Sequence, residues 1–391
     1  MKILFPYMAR WNSANMSRYY HLFKRIAEAG HTVIVMQPPP RISEETNYID
    51  LPMQNHGNII LHTVNVAPWL WNLKFPVDKF VKKALYTLQS MILMRRLLRQ
   101  HEPDLLVVYN LPQYVYTFRS DIPVVFDFAD DYLAMLQHEL GVTKRNVFYR
   151  MSAWLLGRLI RKAALVFCVS RLLQEKIPGK PSILLPNGAS PTRPDPGTRT
   201  LHIDKSKPVI GYVGAFEYFI DMGLMLKAAE RLPDYTFLLV GAGRDFQKTK
   251  EAVAQRKLGN VILTGAVPHH QAMQFILEMD ICLNLFVKGD VANAASPIKL
   301  FEYLVNRRPV ITTRLVEIQR IDPNAAVFFY ADSLDELLGA IRTILTDKNE
   351  CERHMRCGNS LIESGFTWDA LANKFVRELE SLVERREKAR A

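Results

Sequence analysis

The sequence predicts an α/β protein built from two doubly wound domains, and three observations carry that expectation. Short continuous apolar runs of strand length alternate with longer segments of helical apolar spacing, the pattern of buried parallel strands and their covering helices. The alternation opens twice, near residue 2 and near residue 208, and a Pro-, Thr-, Arg- and Gly-rich stretch without apolar periodicity, 189–207, separates the two openings as a linker. A length of 391 residues suits two domains with a core each.

Hydrophobic content of 49% and charged content of 23% are ordinary for a globular chain. No apolar run approaches the roughly eighteen residues of a membrane span, and the ILFPY that follows Met1-Lys2 is short for a signal-peptide core. Cys168, Cys282, Cys351 and Cys357 have neither metal-ligand nor redox spacing, so buried thiols in a reducing, cytoplasmic compartment are expected. The formal charge of +11 is concentrated. Residues 74–100 carry seven Lys/Arg against Asp78 alone, and residues 142–164 carry six with no acid.

The first domain is expected over 1–188. Residues 2–7 read as its first strand, 10–17 as a loop, 18–28 as a helix ended by Gly30, and 32–36 as a second strand. Ligands of this topology bind beyond the carboxyl ends of the strands. Asn12, Ser13 and Asn15 of the first loop are therefore acceptor-binding candidates, although the loop also suits a solvated turn. His31, at a strand start away from that loop, reads as structural.

A short strand over 58–64 leads to Trp69, Leu70, Trp71, Leu73 and Phe75 among lysines, and then to an amphipathic basic segment with apolar residues at three- and four-residue spacings. An anionic membrane surface is a candidate partner for such a segment, and so is plain water on the basic face of a covering helix. Nucleic acid is not an expected partner, because no nucleic-acid-binding motif accompanies the charge.

Strands over 104–109 and 122–126 follow, and the second runs into Asp127, Asp130 and Asp131. Close carboxylates raise one another's proton affinity, which makes these three the candidates for a base acting on an acceptor hydroxyl, with His138 two turns further on. An Asp-rich helix cap is the other reading. A second basic helix, 146–162, strands at 165–170 and 182–185, and the turn at Asn187-Gly188 close the domain.

The second domain is expected over 208–365. Strand 209–213 runs into Gly214, and strand 235–240 into Gly241-Ala242-Gly243-Arg244. Glycine after a strand lets a diphosphate approach the backbone, so Gly214, Gly243 and Arg244 are donor-site candidates. Strand 260–263, helix 268–278, strand 281–286, a loop and the segment SPIKLFEYLVNRRP come next, then strands at 310–312 and 327–330. Helices close the chain at 333–346, 349–363 and 367–385.

SPIKLFEY has the form of an anion-binding helix start. Ser296 suits the N-cap and Pro297 the first helical position, and the free amides through Ile298, with Lys299, favour a phosphate. Glu302, six residues past the cap, stands about 9 Å along the same face, the reach from a diphosphate to a ribose whose diol a carboxylate can accept. An ordinary capped helix explains the same spacing.

The run SPIKLFEYLVNRRPVITT is similar to the P-x-K-x-x-E-Y segment of bacterial GT-B glycosyltransferases of family 4, also called group 1. The resemblance extends to Ala29-Gly30-His31, LPNGA at 185–189, GYVGAF at 211–216, LLVGAG at 238–243 and Phe366-Thr367-Trp368. It implies a GT-B fold, two Rossmann-like doubly wound domains facing a central cleft, with residues 366–391 crossing back to the first. It also implies a D-x-x-D-[DE]-like run at Asp127 and sugar transfer from a nucleotide-diphosphate sugar to a glycan or lipid-linked acceptor. Retention of anomeric configuration, no essential metal and no cofactor belong to the same implication.

Two departures stand out. The family's E-x7-E motif falls on Ala294 and Glu302, so the first acid is missing and Asp290 is the nearest substitute. Ala215 stands where many relatives carry an Arg, and no Lys-Gly follows in EYFIDMG, residues 217–223; Lys299, Arg244, Lys248 or helix N-termini must meet the diphosphate. The expected role is bacterial surface-polysaccharide assembly at the inner face of the cell membrane. The rivals are a GT-B-like binding or scaffold protein without catalysis and a nucleotide-sugar epimerase.

Overall fold

The computed structural model describes residues 1–11, 17–39, 57–66, 78–119, 121–193, 195 and 203–390. They form two units, one from the described residues up to Pro186 together with those from Leu371 onward, the other from Asn187–Ala370.

The first unit holds seven strands: β1 (Lys2–Pro6), β2 (Thr32–Gln37), β3 (Ile59–Thr63), β4 (Leu105–Val108), β5 (Val124–Phe128), β6 (Leu165–Cys168) and β7 (Ile183–Leu184). They pair in parallel in the order β3-β2-β1-β4-β5-β6-β7, which reverses direction between β1 and β4. The central strands are buried on both faces, which is why they read as unbroken Val/Ile/Leu/Phe runs. Helix Arg18–Glu28 buries Tyr19, Leu22, Phe23 and Ile26, and the Phe5 ring of β1 lies 4.5 Å from that of Phe23. Helix Trp368–Arg390 joins this core from Leu371 onward, with the Phe375 ring 4.7 Å from Phe167.

The second unit repeats the plan with β8 (Val209–Val213), β9 (Thr236–Val240), β10 (Val261–Leu263), β11 (Ile281–Asn284), β12 (Val310–Thr312) and β13 (Phe329–Tyr330). The parallel order β10-β9-β8-β11-β12-β13 reverses between β8 and β11, and helix Ile298–Val305 follows β11. Ligands of doubly wound sheets bind at such a reversal. The stretch expected as linker is held to this unit where it is described: Thr192 N donates to Asn306 Oδ1 at 3.1 Å, and Asp195 N to Gln274 Oε1 at 2.9 Å.

Helix Phe246–Gln255, the short helices Asp290–Asn293 and Val316–Ile321, and the 3₁₀ segment Leu111–Arg119 were not expected from the sequence. FQKTKEAVAQ fully buries only Thr249, with Phe246, Ala252 and Val253 partly buried against the core, a stripe diluted by polar residues, and the two short helices complete fewer than two turns. Cys168 and Cys282 are buried, and burial pushes the Cys168 thiol up to about 12. No helix among the described residues is long and apolar enough to cross a membrane.

Candidate functional site

The strongest constellation gathers at the reversal of the second sheet. β8 ends at Gly214, whose φ of +145° suits glycine, and a Cβ built there would fall 2.6 Å from Lys299 Cε. The vacant side-chain position is therefore filled by Lys299. Gly241, at φ +127° after β9, is pressed still closer, since a Cβ there would lie 2.1 Å from the Gly214 carbonyl oxygen. Gly214 N donates to Val240 O at 2.9 Å, and Phe216 N to Ala242 O at 3.1 Å, which ties the two strand ends together.

Gly214 and Gly243 make room for protein, Lys299 in one case and the Phe216 backbone in the other. Gly241→Ala should consequently cost at least about 1–2 kcal/mol from its backbone conformation alone. A lowered urea midpoint with unchanged slope would register the loss; an unchanged midpoint would contradict the packing.

Helix Ile298–Val305 is bolted to β8 by Tyr303, a fully buried residue whose hydroxyl accepts from Val213 N at 2.8 Å. Leu300, Phe301 and Leu304 are buried with it, so Lys299 and Glu302 are held on a fixed face. Sequence reasoning quoted Tyr303 as part of a motif but missed this anchoring role.

Lys299 Nζ donates to the Tyr212 hydroxyl at 2.9 Å and lies 4.6 Å from the centre of the Tyr212 ring, with the Phe286 ring at 5.9 Å. The ammonium thus stands between the ends of β8 and β11. Burial lowers its pKa to about 8 against the opposing pull of Glu302. The Tyr212 hydroxyl in turn donates a hydrogen bond to Ala215 O at 2.7 Å.

Glu302 is 7% exposed, and its Oε1 lies 2.9 Å from His269 Nε2. A carboxylate oxygen accepts, so His269 Nε2 is assigned as the donor of this bond. His269 comes from the start of helix His269–Glu278, 33 positions away, and no local pattern pointed to it.

The expected N-cap is corrected. Pro297 occupies the cap without a side-chain bond, and Ser296 Oγ instead accepts from Asn187 N at 3.1 Å. Asn187 Nδ2 donates to Ser296 O at 2.5 Å. The Asn of LPNGA therefore pins the approach to the helix, leaving the first turn, with Ile298, uncapped by any side chain.

Arg244 is held over this loop region by Glu217, Nε to Oε2 at 2.7 Å, with its guanidinium 5.4 Å from the Tyr218 ring centre. Lys248 is exposed. Ala294, at the place of the missing acid, is 2% exposed, while Asp290 stands exposed at the start of its short helix.

In the first unit the three candidate carboxylates have separate surroundings. Asp127, at the end of β5, is 2% exposed and paired with Arg18, Nε to Oδ2 at 2.9 Å and Nη2 to Oδ1 at 3.1 Å. Its pKa is raised by burial first, with Arg18 and a Tyr19 hydrogen bond pulling it down; the neighbouring aspartates are not the cause, contrary to expectation. Asp131 is buried as the N-cap of helix Tyr132–Leu140, accepts from Ala134 N and pairs with Lys176. Asp130 and His138 are exposed. Asn12, Ser13 and Asn15 lie outside the described residues, as do Trp69, Leu70, Trp71, Leu73 and Phe75.

Two family models match the chain, Glycosyltransferase Family 4 over residues 17–193 and Glycosyl transferase-like over 223–377. TuaH of Bacillus subtilis (strain 168), named as a teichuronic acid biosynthesis glycosyltransferase, is 27% identical over 152 residues, 38% of this chain and 38% of its own. The chain thus aligns with under half of that relative. Sucrose-phosphate synthase from Thermosynechococcus elongatus superposes with a TM-score of 0.75 at 15% identity, over 98% of this chain and 99% of that one. Anabaena HepE in complex with UDP-glucose gives 0.69 at 14% identity, over 97% and 100%. At these identities the structural likeness is one of fold.

Proposed function

The chain belongs to the GT-B glycosyltransferases of the group 1 type, and from that premise we propose that it transfers a sugar from a nucleotide-diphosphate sugar to a glycan or lipid-linked acceptor in bacterial surface-polysaccharide assembly. The observation that carries this reading is the placement of Lys299 and Glu302 on one anchored helix at the reversal of the second sheet. Lys299 and the free amides of the first turn neutralise charge on the departing diphosphate, and Glu302, steadied by His269, accepts from the nucleoside ribose. Arg244 adds a second cation when it turns from Glu217.

The acceptor is assigned to the first unit, where Asp130 is the exposed carboxylate of the three candidates and His138 is exposed nearby in sequence. Transfer without an essential metal and with retention follows the family, although Ala294 in place of the first acid leaves the anomeric centre with a different neighbour. The proposed location is cytoplasmic, against the inner face of the cell membrane.

A thermal-shift panel of UDP, GDP, dTDP and ADP tests the donor half, since a ligand at about 100 times its Kd adds about 2.7 kcal/mol of stability. One nucleotide should stabilise the protein selectively. Glu302→Ala should abolish most of that shift and reduce donor turnover, with the loss concentrated in KM if the carboxylate acts on the ribose. Equal background turnover in both proteins would favour a binding protein without catalysis, the reading that Ala294 and the engaged Arg244 support. An altered sugar still attached to nucleotide, formed without acceptor, would indicate an epimerase.

A further inference from the structure

Seven of the nine large apolar side chains exposed among the described residues lie on three neighbouring elements of the first unit: helix Asp78–His101, the 3₁₀ segment Leu111–Arg119 and helix Val147–Lys162. Both helices pack on the 3₁₀ segment. Tyr116 of that segment bonds Ser90 of the first helix, and Tyr114 stacks edge-on with both Phe118 and Trp154, at 4.7 and 6.2 Å.

The two helices repeat one outward pattern. Val147, Met151, Trp154 and Arg158 follow at the spacing i, i+4, i+7, i+11, and Leu88, Ile92, Arg95 and Arg99 follow at the same spacing; all eight are exposed. Val147 is 70% exposed and Ile92 79%, which no monomeric core explains. Phe148 and Phe118 widen the apolar area. Arg96, Lys144, Arg145, Arg150, Arg161 and Lys162 are exposed around it. Residues 79–101, 111–119 and 142–164 contain no acid; Asp78, Glu102 and Asp121 flank the first two stretches in sequence, and Glu139, on the helix packed against Val147–Lys162, precedes the third.

We infer that this surface docks on an anionic lipid bilayer, with the Val147–Met151–Trp154 stripe entering the headgroup boundary and the surrounding arginines and lysines meeting lipid phosphates. The pairing of the two features decides the occupant. A nucleic acid would use the cations and leave Val147, Met151 and Ile92 in water, and an acidic protein would need no aromatic ring at the rim, whereas a bilayer interface accommodates apolar stripe, tryptophan and cations together. The inference deepens the proposed reading by naming the face that brings the enzyme to a lipid-linked acceptor, and it stands on surface residues that take no part in donor binding.

The full chain, floated with vesicles of phosphatidylcholine containing about 30% phosphatidylglycerol, should bind at physiological salt, bind more weakly as salt rises, and leave pure phosphatidylcholine largely unbound. Met151→Gln with Trp154→Gln should lower the bound fraction by at least about tenfold. Arg150→Glu with Arg161→Glu should do the same through charge. These exposed positions leave folding and the nucleotide thermal shift unchanged. Absence of anionic-vesicle binding, binding unaffected by either pair, or a dimer that the apolar pair dissociates without vesicle binding would each overturn the inference. Vesicle binding without sugar transfer would leave it standing and count against the transferase reading alone.

Discussion

Lys299→Met is expected to reduce sugar transfer by about 10²–10³-fold, the scale of removing one preorganised donor from a developing negative charge. Methionine keeps the length and apolar stem that lie against Tyr212 and Phe286, so the helix should remain seated while the ammonium is lost. One N–H of Lys299 is given to the Tyr212 hydroxyl, leaving two to meet phosphate oxygens.

The pH dependence has a definite sign. Lys299 is held near 8 in the free protein, below its ordinary value of 10.5. A bound diphosphate raises that pKa, because it favours the charged form. Donor affinity should thus be flat below about pH 8 and fall as pH rises toward the value in the complex, by up to about tenfold per unit. The wild-type profile of donor Kd should bend near that pH, and the Lys299→Met profile should not. Equal transfer rates and superimposable profiles for the two proteins would remove Lys299 from the phosphate site.

What could be read from the sequence depended on how local the cause was. The parallel strands were legible because each is an apolar run buried on both faces, and the shared face of Lys299 and Glu302 was legible because residues three apart on a helix are neighbours. His269 was not, because only the order of β10, β8 and β11 brings residue 269 beside residue 302. Ser296 has the residue type of an N-cap, yet Asn187 takes its hydroxyl, a competition invisible 109 positions away. The glycines after β8 and β9 signalled close approach correctly, but pattern alone does not say whether ligand or protein approaches. On helix Val147–Lys162 the cations were visible in the sequence, while the exposure of Trp154 and Met151 between them required the packing of Leu156 and Leu159 on the other face.

Asp127 shows the same limit most sharply, and leads to the other large effect. By local sequence it is one of three aspartates following a strand; by structure it is paired with Arg18 across 109 positions, both nearly inaccessible, with Arg18 also donating to Leu185 O at 3.1 Å. Asp127→Asn should cost about 3–5 kcal/mol, since it leaves a buried guanidinium without its counter-charge.

Arg18→Met should cost a similar amount by stranding the carboxylate. Combining Arg18→Met with Asp127→Leu should cost much less than the sum, because burial already works against the ionised pair: it raises the Asp127 pKa in spite of Arg18. Urea unfolding gives these values, and the nucleotide thermal shift, which reports the second unit, should survive in each variant. A base would behave otherwise. Asp127→Asn would then unfold at the wild-type urea concentration and lose transfer at every pH, and the Arg18 double variant would recover nothing, so the pattern of the three unfolding midpoints separates a carboxylate that holds the first unit together from one that takes a proton from the acceptor.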